Sequence, residues 1–137
     1  MHNTQAQAVA LIERYYAAFN ASDMDTFLSL LDEQVIHDIN QGQRETGKPA
    51  FTAFMQRMHH HYREQLDNIV VMANADGTRA AAEFVVHGEY LNSDAGLPTA
   101  AGQAYRLPAG AFFAIQAGKV TRVTNYYNLQ DWIDQVT

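Results

Sequence analysis

Asp38 and Tyr15 are the two residues of this sequence whose types and positions best suit chemistry. Asp38 lies in residues 35–40, Val-Ile-His-Asp-Ile-Asn, which their apolar character predicts to be a buried strand. A carboxylate in apolar surroundings is costly unless it is paired, hydrogen-bonded or used. Tyr15 lies on the apolar face of a preceding helix, and its hydroxyl can donate to a reacting ligand. Burial would favour proton acceptance by Asp38 near neutral pH, so general base is the role expected for it.

Each of these residues also has a purely structural interpretation. Asp38 could cap a turn or pair with Arg44 or Arg106, and Tyr15 could be a core aromatic residue whose hydroxyl bonds to the backbone. His37 alternates with Asp38 along the strand, so its side chain is expected on the opposite, outer face or at an interface.

The composition limits the classes of function. The chain has 137 residues, 47% of them hydrophobic and 18% charged, which predicts one globular domain over residues 1–137. The net charge of −6 argues against nucleic acid or an anionic membrane as partner. No apolar run approaches the roughly 18 residues of a membrane span. The absence of cysteine excludes disulfides and thiolate chemistry, and the lack of a secretory pattern at the N-terminus predicts a cytoplasmic location.

Helices are predicted to dominate the first part of the chain. Apolar residues at helical spacing predict a helix over residues 4–20. Ser22 or Asp23 is expected to cap a second, short helix that runs through Leu31.

A loop over residues 41–47 is expected to lead into a third helix. That helix is expected to begin at Thr46 or Gly47, with Pro49 in its first turn. Its predicted core face consists of Phe51, Phe54, Met55, Met58 and Tyr62.

Strands are predicted to dominate the second part. Period-two patterns and turn residues predict strands over residues 67–75, 79–91, 103–116 and 119–128, followed by a short helix over residues 129–136. In the second of these strands, one face carries Ala82, Phe84, Val86 and Tyr90, and the other carries Glu83, Val85, His87 and Glu89. This order predicts an α+β fold in which three N-terminal helices pack on a curved, mostly antiparallel sheet and enclose a pocket.

Three local motifs carry a resemblance to a known superfamily. Residues 14–23, residues 35–38 followed by Gly47, and residues 118–120 resemble ketosteroid isomerase. The order of elements resembles the nuclear transport factor 2-like superfamily, which also includes SnoaL-like polyketide cyclases, scytalone dehydratase and limonene epoxide hydrolase. The resemblance implies a cone-shaped fold, Tyr15 as a donor to the substrate oxygen and Asp38 as the general base.

The resemblance also implies a protonated acid beside the tyrosine, which this sequence lacks. The corresponding position falls at Gly110 or Ala109, and neither side chain can donate a hydrogen bond. Because loss of one oxyanion donor typically costs about 10²–10³ in rate, steroid isomerase activity is not expected.

Further pocket residues are predicted on the last strand and around it. If Asn125 and Tyr127 share a face with Val123, the resemblance points all three into the cavity. Otherwise Tyr126 packs inward. Asn40 shares the face of Asp38. Phe54, Met58, Phe84 and Phe112 are predicted to line the core and the cavity.

Metal and cofactor sites are not predicted. Successive helical residues point about 100° apart, so His59, His60 and His61 cannot converge on one ion. The glycines lack a phosphate-binding pattern. No cofactor is therefore expected.

The sequence thus predicts a cofactor-independent enzyme that acts on a small apolar carbonyl or polyketide-like compound, as an isomerase, cyclase, dehydratase or hydrolase. The alternative is a non-catalytic ligand-binding or assembly domain. A homodimer packed through the outer sheet face, near Val85, His87 and Tyr126, follows from the resemblance. An Asp38 that is salt-bridged away from any cavity would contradict the enzyme hypothesis, and a dead-end cavity to which both Asp38 and Tyr15 are exposed would support it.

Overall fold

Helices pack on a curved, unclosed sheet of six strands in the computed structural model, which describes residues 4–137. The elements are α1 (Gln5–Asn20), α2 (Met24–Ser29), β1 (Leu31–Asp38), β2 (Arg44–Thr46), α3 (Lys48–His61), β3 (Tyr62–Ala73), β4 (Arg79–Tyr90), β5 (Ala104–Gln116), β6 (Lys119–Tyr127) and α4 (Leu129–Val136). The α+β fold class predicted from the sequence is confirmed.

The first two helices follow their capping residues. Thr4 and Gln7 form a capping box at the start of α1, and Asp23 caps α2 by accepting a hydrogen bond from the Thr26 amide. The prediction that this second helix includes Leu31 was wrong. Leu31 begins β1 because it pairs with Val120 of β6, and this pairing takes the chain out of the helix.

The segment between β1 and α3 was predicted to be a loop, but it contains a short strand. Residues 41–47 include β2, in which Arg44 pairs with Asp38 and Glu45 with His37. Gly47 then adopts a φ of 102°, a backbone conformation that favours glycine, at the start of α3. The strand predicted to reach Asn40 therefore ends at Asp38.

The sheet has the strand order β2-β1-β6-β5-β4-β3. Among the strand pairs of residues 4–137, the β1–β6 pair is parallel and the other four are antiparallel. The last strand in the sequence is thus inserted between the first strand and β5. On β4, the predicted apolar face is buried and lies toward the helices, while Glu83, Val85, His87 and Glu89 alternate onto the outer face.

The start of the β region was mispredicted. β3 begins at Tyr62, five residues before the predicted start at Asp67, so Tyr62 belongs to a strand and not to the face of α3. The pairing with β4 is interrupted between Asp67 and Val70, where Asn68 has a φ of 53°. The helix predicted over residues 129–136 is confirmed as α4.

No helix in the described part of the chain is long and apolar enough to cross a membrane.

Candidate functional site

A cavity of about 630 Å³ lies between the helices and the inner face of the sheet. Ligand pockets commonly have volumes of roughly 300–1,000 Å³. Among the residues proposed from the sequence, those that line the cavity are Tyr15, Asn40, Phe54, Met58, Phe84, Asn125 and Tyr127. Asp38 and Phe112 do not line it. The structure thus brings most of the predicted side chains together but separates them from the predicted base.

Asp38 is held on the outer face of the sheet. Arg44 donates to both carboxylate oxygens, from Nε to Oδ1 at 2.6 Å and from Nη2 to Oδ2 at 3.0 Å. The Thr124 hydroxyl donates to Oδ2 at 2.7 Å. These hydrogen bonds, with the charges of Arg44 and Arg122, lower the pKa of Asp38 to about 2. The placement of Asp38 opposite Tyr15 was therefore wrong, and its structural interpretation, pairing with Arg44, is confirmed.

The register of β1 explains this error. In the parallel pairing with β6, His37 lies beside Val123 and Asp38 beside Thr124. Val123 is fully buried, so the His37 side of the strand is the inner side. The predicted alternation of His37 and Asp38 is correct, but the two faces were assigned in reverse.

His37 occupies the buried position that was predicted for the acid. Its ring stacks on Phe51 at a centroid distance of 4.2 Å and meets the edge of Phe54 at 4.6 Å. The side chain is 1% exposed. Burial lowers the pKa of His37 to about 4, and the neighbouring charge of Asp38 opposes this only in part. The imidazole is therefore neutral at neutral pH.

Asn125 connects His37 to the cavity. Its Nδ2 lies 3.2 Å from His37 Nε2, within hydrogen-bond distance. His37 Nδ1 is buried and has no hydrogen-bond partner among residues 4–137. Asn125 itself is half-buried and lines the cavity, so its amide can contact a ligand while the ring fixes its orientation.

The face of β6 was predicted correctly in the first of its two alternatives. Val123, Asn125 and Tyr127 pair in turn with the inner-face residues Phe113, Ala111 and Ala109 of β5. Tyr126 alternates outward and is 56% exposed, so the alternative in which it packs inward was wrong.

Phe112 was wrongly predicted to line the cavity. It is 51% exposed, whereas its neighbour Phe113 is fully buried. Adjacent strand residues point to opposite faces, so only one of the two phenylalanines can face the core.

Tyr15 and Tyr16 form an aromatic wall of the cavity. Their rings meet edge to face at 5.0 Å, and Tyr15 also packs against Phe27 at 4.5 Å. Burial raises the pKa of both hydroxyls, so both stay protonated. Tyr16 Oη has no hydrogen-bond partner among the described residues.

Glu64 is a carboxylate of the cavity that the sequence analysis missed. It lies on the inner face of β3, is half-buried and lines the cavity. Tyr105 donates to its Oε2 at 2.6 Å. Burial raises the pKa of Glu64, and the hydrogen bond from Tyr105 opposes the rise in part. The alternation of Tyr62, Glu64 and Leu66 could have revealed a strand here, but Tyr62 was assigned to the face of the third helix and the β pattern was predicted to begin after Glu64.

Comparison with known proteins gives the family. The sequence pattern of the SnoaL-like domain matches residues 12–123, which is most of the chain. The chain belongs to the SnoaL-like domain family. No protein of curated function matches its sequence.

Two solved structures resemble this SnoaL-like protein closely. A proposed polyketide cyclase from Pseudomonas putida is 66% identical, with a TM-score of 0.94 over 95% of this chain and 98% of that one. A second proposed polyketide cyclase, from Xanthomonas campestris, is 56% identical, with a TM-score of 0.95 over 98% of this chain and all of that one, 100%.

A more distant likeness confirms the fold that the resemblance implied. A nuclear transport factor 2-like protein from Burkholderia xenovorans has a TM-score of 0.76 at 14% identity, over 98% of each chain. At this identity, the likeness concerns the cone-shaped fold alone.

Proposed function

We propose that this protein binds a small, largely apolar carbonyl or polyketide-like compound in the cavity and acts on it without a cofactor. The observation that carries the proposal is the cavity of about 630 Å³, in which aromatic walls surround a few polar groups from separate elements. The two close relatives described as proposed polyketide cyclases support the same substrate class.

The polar groups suit a ligand oxygen. Asn125 offers an amide whose orientation is fixed by the buried, neutral His37. Tyr15 contributes a protonated hydroxyl on the opposite, helical wall. Donors fixed in advance stabilise charge that develops on oxygen during reaction. Asp38 has no part in this arrangement because Arg44 and Thr124 hold its carboxylate outside the cavity.

A second candidate function is ligand binding without catalysis. The ion pair of Asp38 with Arg44 favours it, because the arginine balances the charge of the predicted base and lowers its pKa, which makes Asp38 a poor proton acceptor. The two candidates differ in whether a bound carbonyl compound is converted to an isomer of the same mass.

A thermal-shift screen against ketones, lactones, phenols and steroids tests the ligand proposal. Asn125→Ala should weaken the binding of carbonyl hits roughly fivefold, since one hydrogen bond contributes about 1 kcal/mol. Asp38→Asn, a polar change outside the cavity, is the matched control and should leave their affinity unchanged. Hits whose affinity falls in Asp38→Asn and stays unchanged in Asn125→Ala would contradict the proposed site. Conversion of a hit to an isomer of the same mass, detected by chromatography, would show that the protein is an enzyme. Hits that bind and stay unchanged would favour ligand binding without catalysis.

We also propose that two copies of the chain pair through the outer sheet face. Four apolar side chains on that face are about half exposed: Val70 and Met72 on β3, Phe112 on β5 and Tyr126 on β6. Phe112 and Tyr126 contact each other edge to face at 5.9 Å. Such a patch on a sheet is typical of a protein interface.

Sedimentation of the protein at micromolar concentration tests the dimer. Phe112→Glu should shift the protein from dimer to monomer, because a charge would be buried at the centre of the interface. Gln56→Glu adds the same charge on the exposed side of α3 and should leave the dimer intact. A wild-type protein that sediments as a monomer would rule the proposal out.

A further inference from the structure

Glu64 stands out among the acids of the described residues because its charge is uncompensated inside the cavity. Within residues 4–137, no lysine, arginine or histidine forms an ion pair with it. Its Oε2 accepts a hydrogen bond from Tyr105 at 2.6 Å, which is the side-chain hydrogen bond found for this carboxylate within the same residues. Asp38, by contrast, accepts hydrogen bonds from Arg44 and Thr124 and does not line the cavity. The two carboxylates therefore have opposite environments.

The contact between Glu64 and Tyr105 crosses an entire strand. Glu64 on β3 pairs with Gly88 on β4, and Gly88 pairs in turn with Tyr105 on β5. The tyrosine reaches the carboxylate by lying over Gly88. A Cβ atom built at residue 88 would lie 2.2 Å from Tyr105 Cζ, so only glycine leaves room for the ring in this position.

The tyrosine is fixed as a donor. Tyr105 is 4% exposed and packs edge to face against Trp132 at 5.9 Å. Burial, with the charge of Glu64, raises the pKa of its hydroxyl, so the proton stays on Tyr105. One carboxylate oxygen is therefore held in place while the other is left for a ligand.

We infer that Glu64, positioned by Tyr105, is the residue that removes a proton from the carbon next to the carbonyl of the bound compound. The inference deepens the proposed function and depends on it. In this step the C–H bond breaks, its proton passes to Glu64 Oε1, and its electron pair moves toward the carbonyl oxygen to form an enolate. If the compound is a β,γ-unsaturated ketone, its dienolate takes the proton back from Glu64 at the γ carbon, and the double bond moves into conjugation. If the compound has a second carbonyl, the enolate carbon attacks that carbonyl, whose oxygen receives the proton from Glu64. Either outcome is an isomerisation in which atoms balance without a co-reactant.

The environment of Glu64 suits this step better than that of Asp38. A general base works best when its pKa is near the working pH. Burial moves the pKa of Glu64 upward, toward that range, whereas the Arg44 hydrogen bonds move the pKa of Asp38 downward.

Deuterium exchange into β-tetralone in deuterium oxide, followed by NMR, tests the proton transfer directly. β-Tetralone is an apolar ketone with acidic C–H bonds, and β-naphthol mimics its enol. Glu64→Gln should reduce the protein-catalysed exchange by about 100-fold or more while β-naphthol still binds. The isosteric glutamine can still accept from Tyr105. Glu13→Gln, the same change on the exposed side of α1, should leave exchange unchanged. Exchange that survives in Glu64→Gln would overturn the inference.

The pH profile of exchange tests the positioning role of Tyr105. Tyr105→Phe removes the hydrogen bond that lowers the pKa of Glu64, so the acid limb of the profile should move to higher pH. Gly88→Ala displaces the same ring and should move the limb in the same direction. A limb that stays in place in both variants would overturn the role of Tyr105.

The wild-type protein separates this inference from the proposed function. Binding of β-naphthol without acceleration of exchange would overturn the role of Glu64 and leave ligand binding standing. Binding of neither compound would count against both.

Discussion

Acidification from pH 7 to pH 4 should remove about 3 kcal/mol from the free energy of unfolding through His37 alone. Burial lowers the pKa of His37 from 6.5 to about 4 in the folded protein. Between these two values the unfolded chain binds a proton that the folded chain does not, so protonation favours unfolding and stability rises with pH. The contribution of neutral His37 to the free energy of unfolding is constant above pH 6.5, the pKa of histidine in the unfolded chain, and is lost progressively as the pH falls from there toward about 4. The nearby charge of Asp38 limits the loss by favouring the protonated ring.

Urea denaturation across this pH range measures the effect. The loss should be smaller by about 3 kcal/mol in His37→Gln, which retains a polar side chain but does not titrate. NMR titration of the His37 ring should give a midpoint near the value of about 4 that burial imposes. A midpoint near 6.5, the ordinary histidine value, would show that the ring is solvated and that the stacked arrangement does not persist in solution.

Phe51→Ala should lower the free energy of unfolding by about 3–5 kcal/mol, as large-to-small changes of core aromatics do. Phe51 is 1% exposed, and its ring covers one face of His37 at 4.2 Å and meets the edge of Phe27 at 5.9 Å. Its removal loses the buried area and also opens His37 to water. The pKa of His37 should therefore move back toward its ordinary value in this variant. Chemical denaturation and the histidine titration together measure both effects.

Phe51→Leu provides the graded comparison for this prediction. Leucine fills most of the space, so the cost should stay below about 1.5 kcal/mol and the pKa of His37 should stay low. Equal losses in the alanine and leucine variants would show that stacking on the ring, and not the filled volume, accounts for the stability.

The helices and most strands were predictable because their patterns are local. The capping box at Thr4, the apolar stripe of α1 and the alternation along β4 each lie within a few consecutive residues. The inner face of β1 was not predictable in the same way. Alternation separates His37 from Asp38 but does not determine which of them faces the core. That choice depends on pairing with Val123 and Thr124, more than eighty residues away in the sequence.

The candidate proton-transfer residue was missed for a related reason. α3 passes into β3 without a turn, from His61 to Tyr62, so no glycine or proline marks the boundary. A polar residue such as Glu64 then resembles the solvent side of a helix. Its location in the cavity becomes evident only when Tyr105, over forty residues later, reaches across Gly88 to contact it.

The position of β6 in the sheet has a consequence for biosynthesis. β6 separates β1 from β5, so before it pairs, the sheet consists of two unjoined pieces, β2-β1 and β5-β4-β3. Each piece has a bare strand edge, which is the kind of surface that aggregates. His37 and Asn125 belong to strands that cannot meet until residues 119–127 have emerged from the ribosome. A nascent chain therefore carries the bare β1 edge while residues 39–118 are made, whereas the β5 edge is bare only until β6 follows it. A premature stop before β6 should yield an aggregation-prone product that chaperones must hold.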